Sequence, residues 1–169
     1  MKRLAIVGTV AMFALALLPA TARATLIGPT LPLSYDQSVK AHGVTGMTTS
    51  MTAPFSGKIK RFQVQGIRGA VRLQVIEGSG RYKALRQGHR KDAHLNPDQV
   101  ATFKANIPVR KGNHIGLRFG WGGPFGLHTT GFTGPSSDWF DPALKVGGSP
   151  RSVTYDDQSE LLFNAMLKR

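Results

Sequence analysis

The sequence predicts an all-β fold, a single antiparallel β-sandwich that follows an N-terminal signal peptide. Two observations support this prediction. Apolar and polar residues alternate with a period of two through the middle of the chain, as in strands that bury one face. Glycine and proline separate the alternating runs at the close spacing typical of sandwiches. The chain has no cysteine, so its core must form without disulfides.

The alternation is strictest in three runs, at residues 60–65, 70–77 and 114–120. In the second run, Val71, Leu73 and Val75 are expected to face the core while Arg72 faces solvent. In the third run, Arg118 is expected on the solvent side. Both arginines should therefore lie on an outer face of the sandwich.

Four further runs are weaker strand candidates, at residues 46–52, 81–85, 100–107 and 151–156. Residues 160–168 fit either a strand or one face of a helix. We favour the strand, because a last strand that closes a sheet ties down the terminus. Residues 89–98 are mostly polar and are expected to form a loop.

Residues 1–24 have the order of parts of a cleavable signal peptide. Lys2 and Arg3 are followed by an uncharged, mostly apolar run at 4–18, then by Pro19 and the small-x-small pattern Ala-Arg-Ala at 22–24. The run is shorter than the roughly 20 residues of a spanning helix. We therefore expect a secreted or cell-surface protein, with one domain at residues 25–169 and no membrane span after cleavage.

Three segments resemble one family of proteins. They read Pro-Phe-Ser-Gly-Lys-Ile at 54–59, Val-Arg-Leu-Gln-Val at 71–75 and Ile-Pro-Val-Arg-Lys-Gly-Asn-His-Ile-Gly-Leu at 107–117. The chain resembles small secreted proteins of actinobacteria that have jelly-roll-like β-sandwiches and no assigned function. The family often has Gly-Asp where this chain has Gly-Asn at 112–113. The resemblance spans roughly residues 45–120 and the last strand, and implies an extracellular β-sandwich but no activity.

Positive charge is concentrated in one part of the chain. After the predicted signal peptide, 19 basic residues face 9 acidic ones, and residues 58–118 alone hold 14 basic and 3 acidic residues. If neighbouring strands bring Lys60, Arg61, Arg72 and Arg118 together, they form a polyanion-binding patch. Solubility and protection of sheet edges are the alternatives. A cell-wall polymer or acidic polysaccharide is the expected ligand, and nucleic acid is not expected except outside the cell; the oligomeric state stays open.

The segment 119–142 is rich in glycine and aromatic residues and is expected to be a long loop. In the functional interpretation, its aromatic side chains form a platform for a sugar ring, with polar groups at the edge. The ligand-binding candidates are Trp121, Phe125, His128, Asp138 and Trp139. In the alternative interpretation, the rings pack as a core at one end of the sandwich.

Motifs of catalysis are missing from the sequence, and we expect a non-catalytic binding or surface-associated domain with no cofactor and no metal. The two histidines at 89 and 94 lie beside basic residues, which oppose a bound cation. A small secreted carbohydrate-active hydrolase is the first alternative, with carboxylates from Asp138, Asp141 or the pair at 156–157. A purely structural module of the envelope is the second.

Overall fold

The computed structural model describes residues 24–40, 42–129, 134 and 136–169, with only the backbone given for Trp121 and Gly122. In these residues the regular secondary structure is entirely β, and all strand pairs are antiparallel. None of the described residues forms a helix that is long and apolar enough to cross a membrane. The predicted signal peptide lies outside the described residues, except for Ala24, which begins the first strand.

The larger layer is a seven-stranded sheet with the order β12-β11-β3-β9-β5-β6, in which β7 also pairs with β5. Its strands are β3 (Thr45–Thr52), β5 (Arg68–Ser79), β6 (Arg81–Gln87), β7 (Lys91–His94), β9 (His114–Gly122), β11 (Ser137–Phe140) and β12 (Tyr155–Asp157). The long strands β5 and β9 lie side by side at its centre.

Two smaller sheets complete the sandwich. The four-stranded sheet has the order β1-β14-β4-β8 and contains β1 (Ala24–Ile27), β4 (Gly57–Gln65), β8 (Val100–Val109) and β14 (Phe163–Lys168). The three-stranded sheet has the order β13-β10-β2 and contains β2 (Gln37–Lys40), β10 (Pro124–His128) and β13 (Glu160–Leu161).

The main core lies between the sheets and follows the alternation of the sequence. Val71, Leu73 and Val75 of β5 are buried there, together with Phe62 and Val64 of β4. Burial of such side chains stabilises the fold by about 1.5–3 kcal/mol each. The predicted fold class, an antiparallel β-sandwich, is confirmed.

A second apolar cluster lies on the outer face of the seven-stranded sheet. It joins Met47, Ile76, Tyr82 and Phe140 of the sheet to Leu144 of the segment 141–153. We call this segment the cover. The amide N–H of Leu144 donates to Thr45 Oγ1 at 3.1 Å, and the main chains of Tyr82 and Arg151 form a β-bridge, so the cover is fixed to the sheet along its length.

Some predicted elements differ from the observed ones. The strands predicted at 46–52, 81–85, 100–107 and 160–168 are confirmed, whereas only the end of 151–156 forms a strand. The expected polar loop at 89–98 contains β7, a short strand whose Ala93 is buried. The expected loop at 119–142 instead contains the end of β9 and both β10 and β11, in which Phe125, Leu127 and Trp139 are buried.

Candidate functional site

The proposed aromatic platform is not supported, because two of its rings lie in the core. Phe125 and Trp139 are each 1% exposed, with ring centroids 5.2 Å apart, and Phe125 also stacks on Phe119 at 4.3 Å. Neither ring has a face available to a sugar. The alternative interpretation, a packed aromatic core, is correct for these two residues. The side chain of Trp121 lies outside the described part of the structure.

The polar candidates of the same segment do not converge on one site. Asp138 and Trp139 are neighbours in β11, so their side chains point to opposite faces of the seven-stranded sheet. His128 belongs to the three-stranded sheet, where its Nδ1 lies 2.9 Å from Asp36 Oδ2. The grouping of His128, Asp138 and Trp139 as one binding site is therefore wrong.

The carboxylates of the hydrolase alternative have different surroundings from one another. Asp138 is opposite Asp156 in the pairing of β11 with β12. Burial raises the pKa of Asp138, and the charge of Asp156 raises it further, while His114 lowers it. Asp157 accepts a hydrogen bond from Trp139 Nε1 at 3.0 Å and another from the Ser159 hydroxyl, which makes it a structural acceptor. Among the described residues, no group of three His, Asp or Glu side chains could hold a metal ion.

Three arginines lie in one row on the outer face of the seven-stranded sheet. Arg118 of β9 is the direct partner of Arg72 in β5, so their Cβ atoms are about 4.5–5.5 Å apart on one face. Arg90 continues the row on the other side of Arg72. Lys91 of β7 is paired with Val71 of β5, so the residue before it, Arg90, comes next to Arg72. We call Arg118, Arg72 and Arg90 the arginine row. Like charges at this spacing repel one another unless an anion lies between them.

The arginine row lines an open pocket of about 260 Å³, and no acidic residue is among its lining residues. The other lining residues are Ala70, Gln87 and Gly120. Asp92 is outside the lining, where it accepts hydrogen bonds from Arg90 Nε at 3.0 Å and Nη2 at 2.8 Å. No acidic partner of Arg72 or Arg118 occurs among the described residues. The pocket therefore has a net positive charge.

A chain of hydrogen bonds joins this pocket to the cover. Arg118 Nη1 donates to Gln87 Oε1 at 3.4 Å, and Gln74 Nε2 donates to the same oxygen at 3.1 Å. The buried Gln74 also donates to the Leu144 carbonyl at 3.0 Å and accepts from Thr45 Oγ1 at 2.8 Å. These contacts hold the buried amide of Gln74 in a fixed orientation and keep Gln87 Oε1 turned toward it, because turning either amide would break hydrogen bonds.

A second basic pocket, of about 270 Å³, adjoins the first and shares Gln87 with it. It lies where β8 of the four-stranded sheet meets the connection between β6 and β7, and its basic lining residues are His89, Lys91 and Lys104. Arg61 is paired with Lys104 across β4 and β8. Lys60 Nζ donates to Asn106 Oδ1, a lining residue, at 3.3 Å.

The predicted polyanion-binding residues are thus divided between two sheets. Arg72 and Arg118 lie side by side as predicted, whereas Lys60 and Arg61 lie on the four-stranded sheet and line neither pocket. The second pocket lies between these two groups. We call the whole set the basic track, which runs over one edge of the sandwich and comprises Lys60, Arg61, Arg72, His89, Arg90, Lys91, Lys104 and Arg118.

The predicted polyanion-binding set lacked His89, Arg90, Lys91 and Lys104 of the basic track, and also Gln87, which lines both pockets. Alternation in β8 places Thr102, Lys104 and Asn106 outward, so a period of two could have identified Lys104. No sequence signal marks Gln87, because its role depends on Gln74 and Arg118.

Comparisons with family models, with curated proteins and with solved structures gave no match, so the geometry of the chain itself supplies the argument for its function.

Proposed function

We propose that this chain is an exported, non-catalytic β-sandwich domain that binds an acidic polysaccharide or another anionic polymer of the cell envelope. One observation supports this most strongly: Arg118, Arg72 and Arg90 stand in register around an open pocket without an acidic lining residue. Arg72 and Arg118 repel one another in the free protein, because neither has an acidic partner among the described residues. An anion placed among them removes that repulsion and gains charge-assisted hydrogen bonds.

The basic track favours a polymer over a single small anion. Its two pockets adjoin at Gln87, and its remaining cations continue across β8 and β4. A chain with repeated negative charges can occupy both pockets at once. Each occupied subsite raises the effective concentration of the next charge, so affinity grows with chain length.

The test is retention of residues 25–169 on anionic and neutral cell-wall polysaccharides across a salt series. We expect retention on the anionic fractions only, and a steep fall with added salt, because each neutralised charge releases a counterion. Retention on neutral fractions that survives high salt would contradict the proposal.

A matched pair of double variants locates the binding surface. Arg72→Glu with Arg118→Glu should abolish retention, since it replaces two cations of one pocket by anions. Lys58→Glu with Lys168→Glu makes the same charge change at an exposed cross-strand pair that lines neither pocket. This control should lose far less retention. Equal losses in both variants would show that net charge alone, and not the basic track, determines binding.

A further inference from the structure

The pocket of the arginine row has a donor arrangement that fits one class of anion. We propose that it binds a sulfate or phosphate monoester group carried by a glycan, in preference to a carboxylate. This inference rests on the proposed function, which concerns acidic polymers in general, and adds the acidic group that the pocket recognises.

The first step is the orientation of the Gln87 side-chain amide. The Leu144 carbonyl can only accept, so the group of Gln74 that faces it at 3.0 Å must be the amide nitrogen. The same nitrogen faces Gln87 at 3.1 Å and requires an acceptor there, which identifies the facing atom as Gln87 Oε1. Arg118 Nη1 also donates to this oxygen.

The second step follows from the first. With Oε1 held by two donors, the other group of the Gln87 side chain is Nε2, which has no acceptor among the described residues. Gln87 lines the pocket together with the arginine row. The side-chain groups available to a ligand in the pocket are therefore the guanidinium groups of Arg72 and Arg118 and the amide of Gln87, which also borders the second pocket. The Arg90 guanidinium already bonds to Asp92 through two of its nitrogens. Ala70 and Gly120 complete the lining and bring no polar side chain.

The third step is the number of acceptor oxygens that these donors require. A carboxylate has two oxygens in one plane, and a single guanidinium fork bonds to both of them in that plane. A sulfate or phosphate monoester has three unsubstituted oxygens that point in different directions. Such a group can bond to Arg72 and Arg118 together and still accept from Gln87 Nε2. A ligand hydroxyl could accept one such bond, but its own proton needs an acceptor, which these side chains do not provide.

The experiment compares three derivatives of one neutral glucan, with sulfate, phosphate monoester or carboxymethyl groups at matched charge density. Affinities for residues 25–169 are measured by isothermal titration at one ionic strength. We expect the sulfate or the phosphate derivative to bind at least about tenfold more tightly than the carboxymethyl one, the equivalent of about one additional hydrogen bond to a charged group. The two ester arms show which oxyanion the pocket prefers.

Two variants with the same change in net charge assign any preference to the pocket. Gln87→Glu keeps the size of the side chain and an oxygen toward Gln74, but replaces the donor in the pocket by an acceptor. It should remove the preference for the ester derivatives. Arg61→Gln, on the four-stranded sheet, should weaken binding of all three derivatives by similar factors and keep the preference. Circular dichroism and urea unfolding are the checks that both variants are folded.

The possible failures are distinct. Equal affinities for the three derivatives in the native protein would overturn this inference and leave the proposed function intact. A preference that survives Gln87→Glu would overturn the assignment to this pocket. Absence of binding to every derivative would refute both the inference and the proposed function.

Discussion

The outer face of the seven-stranded sheet has two halves. They share strands, but one half is apolar and covered and the other is cationic and open. Under the cover, Met47, Ile76 and Phe140 are fully buried in an apolar cluster. Beside the cover, Arg72 and Arg118 line an open cationic pocket. Strand β5 contributes to both halves, and only Gln74 separates its two outward residues Ile76 and Arg72 on that face. The environment of an outward residue thus depends on whether the cover reaches it.

The largest effect should come from the covered half. Phe140→Ala removes a ring that is 0% exposed, and we expect the free energy of unfolding to fall by about 3–5 kcal/mol. Urea unfolding gives this value. Binding of the folded variant to a sulfated glucan should not change, since Phe140 lines neither basic pocket. A loss of binding by the folded variant would show that the two halves are not independent.

A smaller effect is expected at the boundary between the halves. Gln74→Leu leaves the Leu144 carbonyl and Gln87 Oε1 each without one donor, and should lower the free energy of unfolding by about 1–3 kcal/mol. It should also weaken the preference for ester groups, because Gln87 is then free to turn. Gln99→Leu is the control. The Gln99 side chain accepts a hydrogen bond from the Asn96 main-chain N–H at an exposed position, and its loss should cost less than about 0.5 kcal/mol.

The covered half also contains a charge whose effect depends on pH. Burial, and then Asp156, raise the pKa of Asp138 above its ordinary value of 3.8, so the folded state keeps this proton to higher pH than the unfolded state. The contribution of Asp138 to stability is therefore present below about pH 3.8 and is lost as the pH rises through the raised pKa. Asp138→Asn should raise stability at neutral pH and flatten this decline.

Urea unfolding at a series of pH values measures the effect. Glu160→Gln offers a comparison on the three-stranded sheet, since burial also raises the pKa of Glu160 while His128 lowers it. It should change the pH profile in the same direction. A variant Asp138→Asn that is less stable than the native protein at neutral pH would contradict the prediction.

The smallest change in stability should come from the open half. Arg72→Glu converts a repulsive cross-strand pair with Arg118 into an attractive one, which should raise the free energy of unfolding by about 0.2–1 kcal/mol at low salt. The same variant should lose binding to anionic polymers. A gain in stability together with a loss of binding would show that the arginine row is maintained for ligand binding. A loss of both would instead indicate that Arg72 supports the fold.

The sequence predicted the fold well because alternation depends on residues that are close in the chain. It placed Val71, Leu73 and Val75 inward and put Arg72 and Arg118 outward, as the structure has them. It could not place the cover, because nothing in residues 141–153 indicates which part of a sheet they lie on. The errors about Phe125 and Trp139 also arise because the sequence does not show which parts of the chain pack together. The glycines near these rings suggested a loop, whereas in the structure the glycines allow neighbouring strands to pack closely.

The site was predictable only in part, since the pairing of strands decides which cations meet. Arg72 and Arg118 are 46 positions apart in sequence and adjacent across β5 and β9. Lys60 and Arg61 are nearer to Arg72 in sequence, yet they belong to the other layer of the sandwich. Charge density along the chain therefore indicates that a basic surface exists, but not its shape.

The hydrogen bonds around Gln74 have a consequence for the order of assembly. They connect Gln74 to residues 29, 13 and 70 positions away, and Arg118 reaches Gln87 across 31 positions. The bonds to Thr45 and Leu144 join distant parts of the chain, so they exist only when β3 and the cover have both packed against Gln74. The pocket with its oriented Gln87 amide can thus form only in a chain that includes the cover, residues 141–153. A partly folded or truncated chain has the same arginines but lacks the fixed amide. A preference for ester groups over carboxylates therefore indicates a fully folded chain.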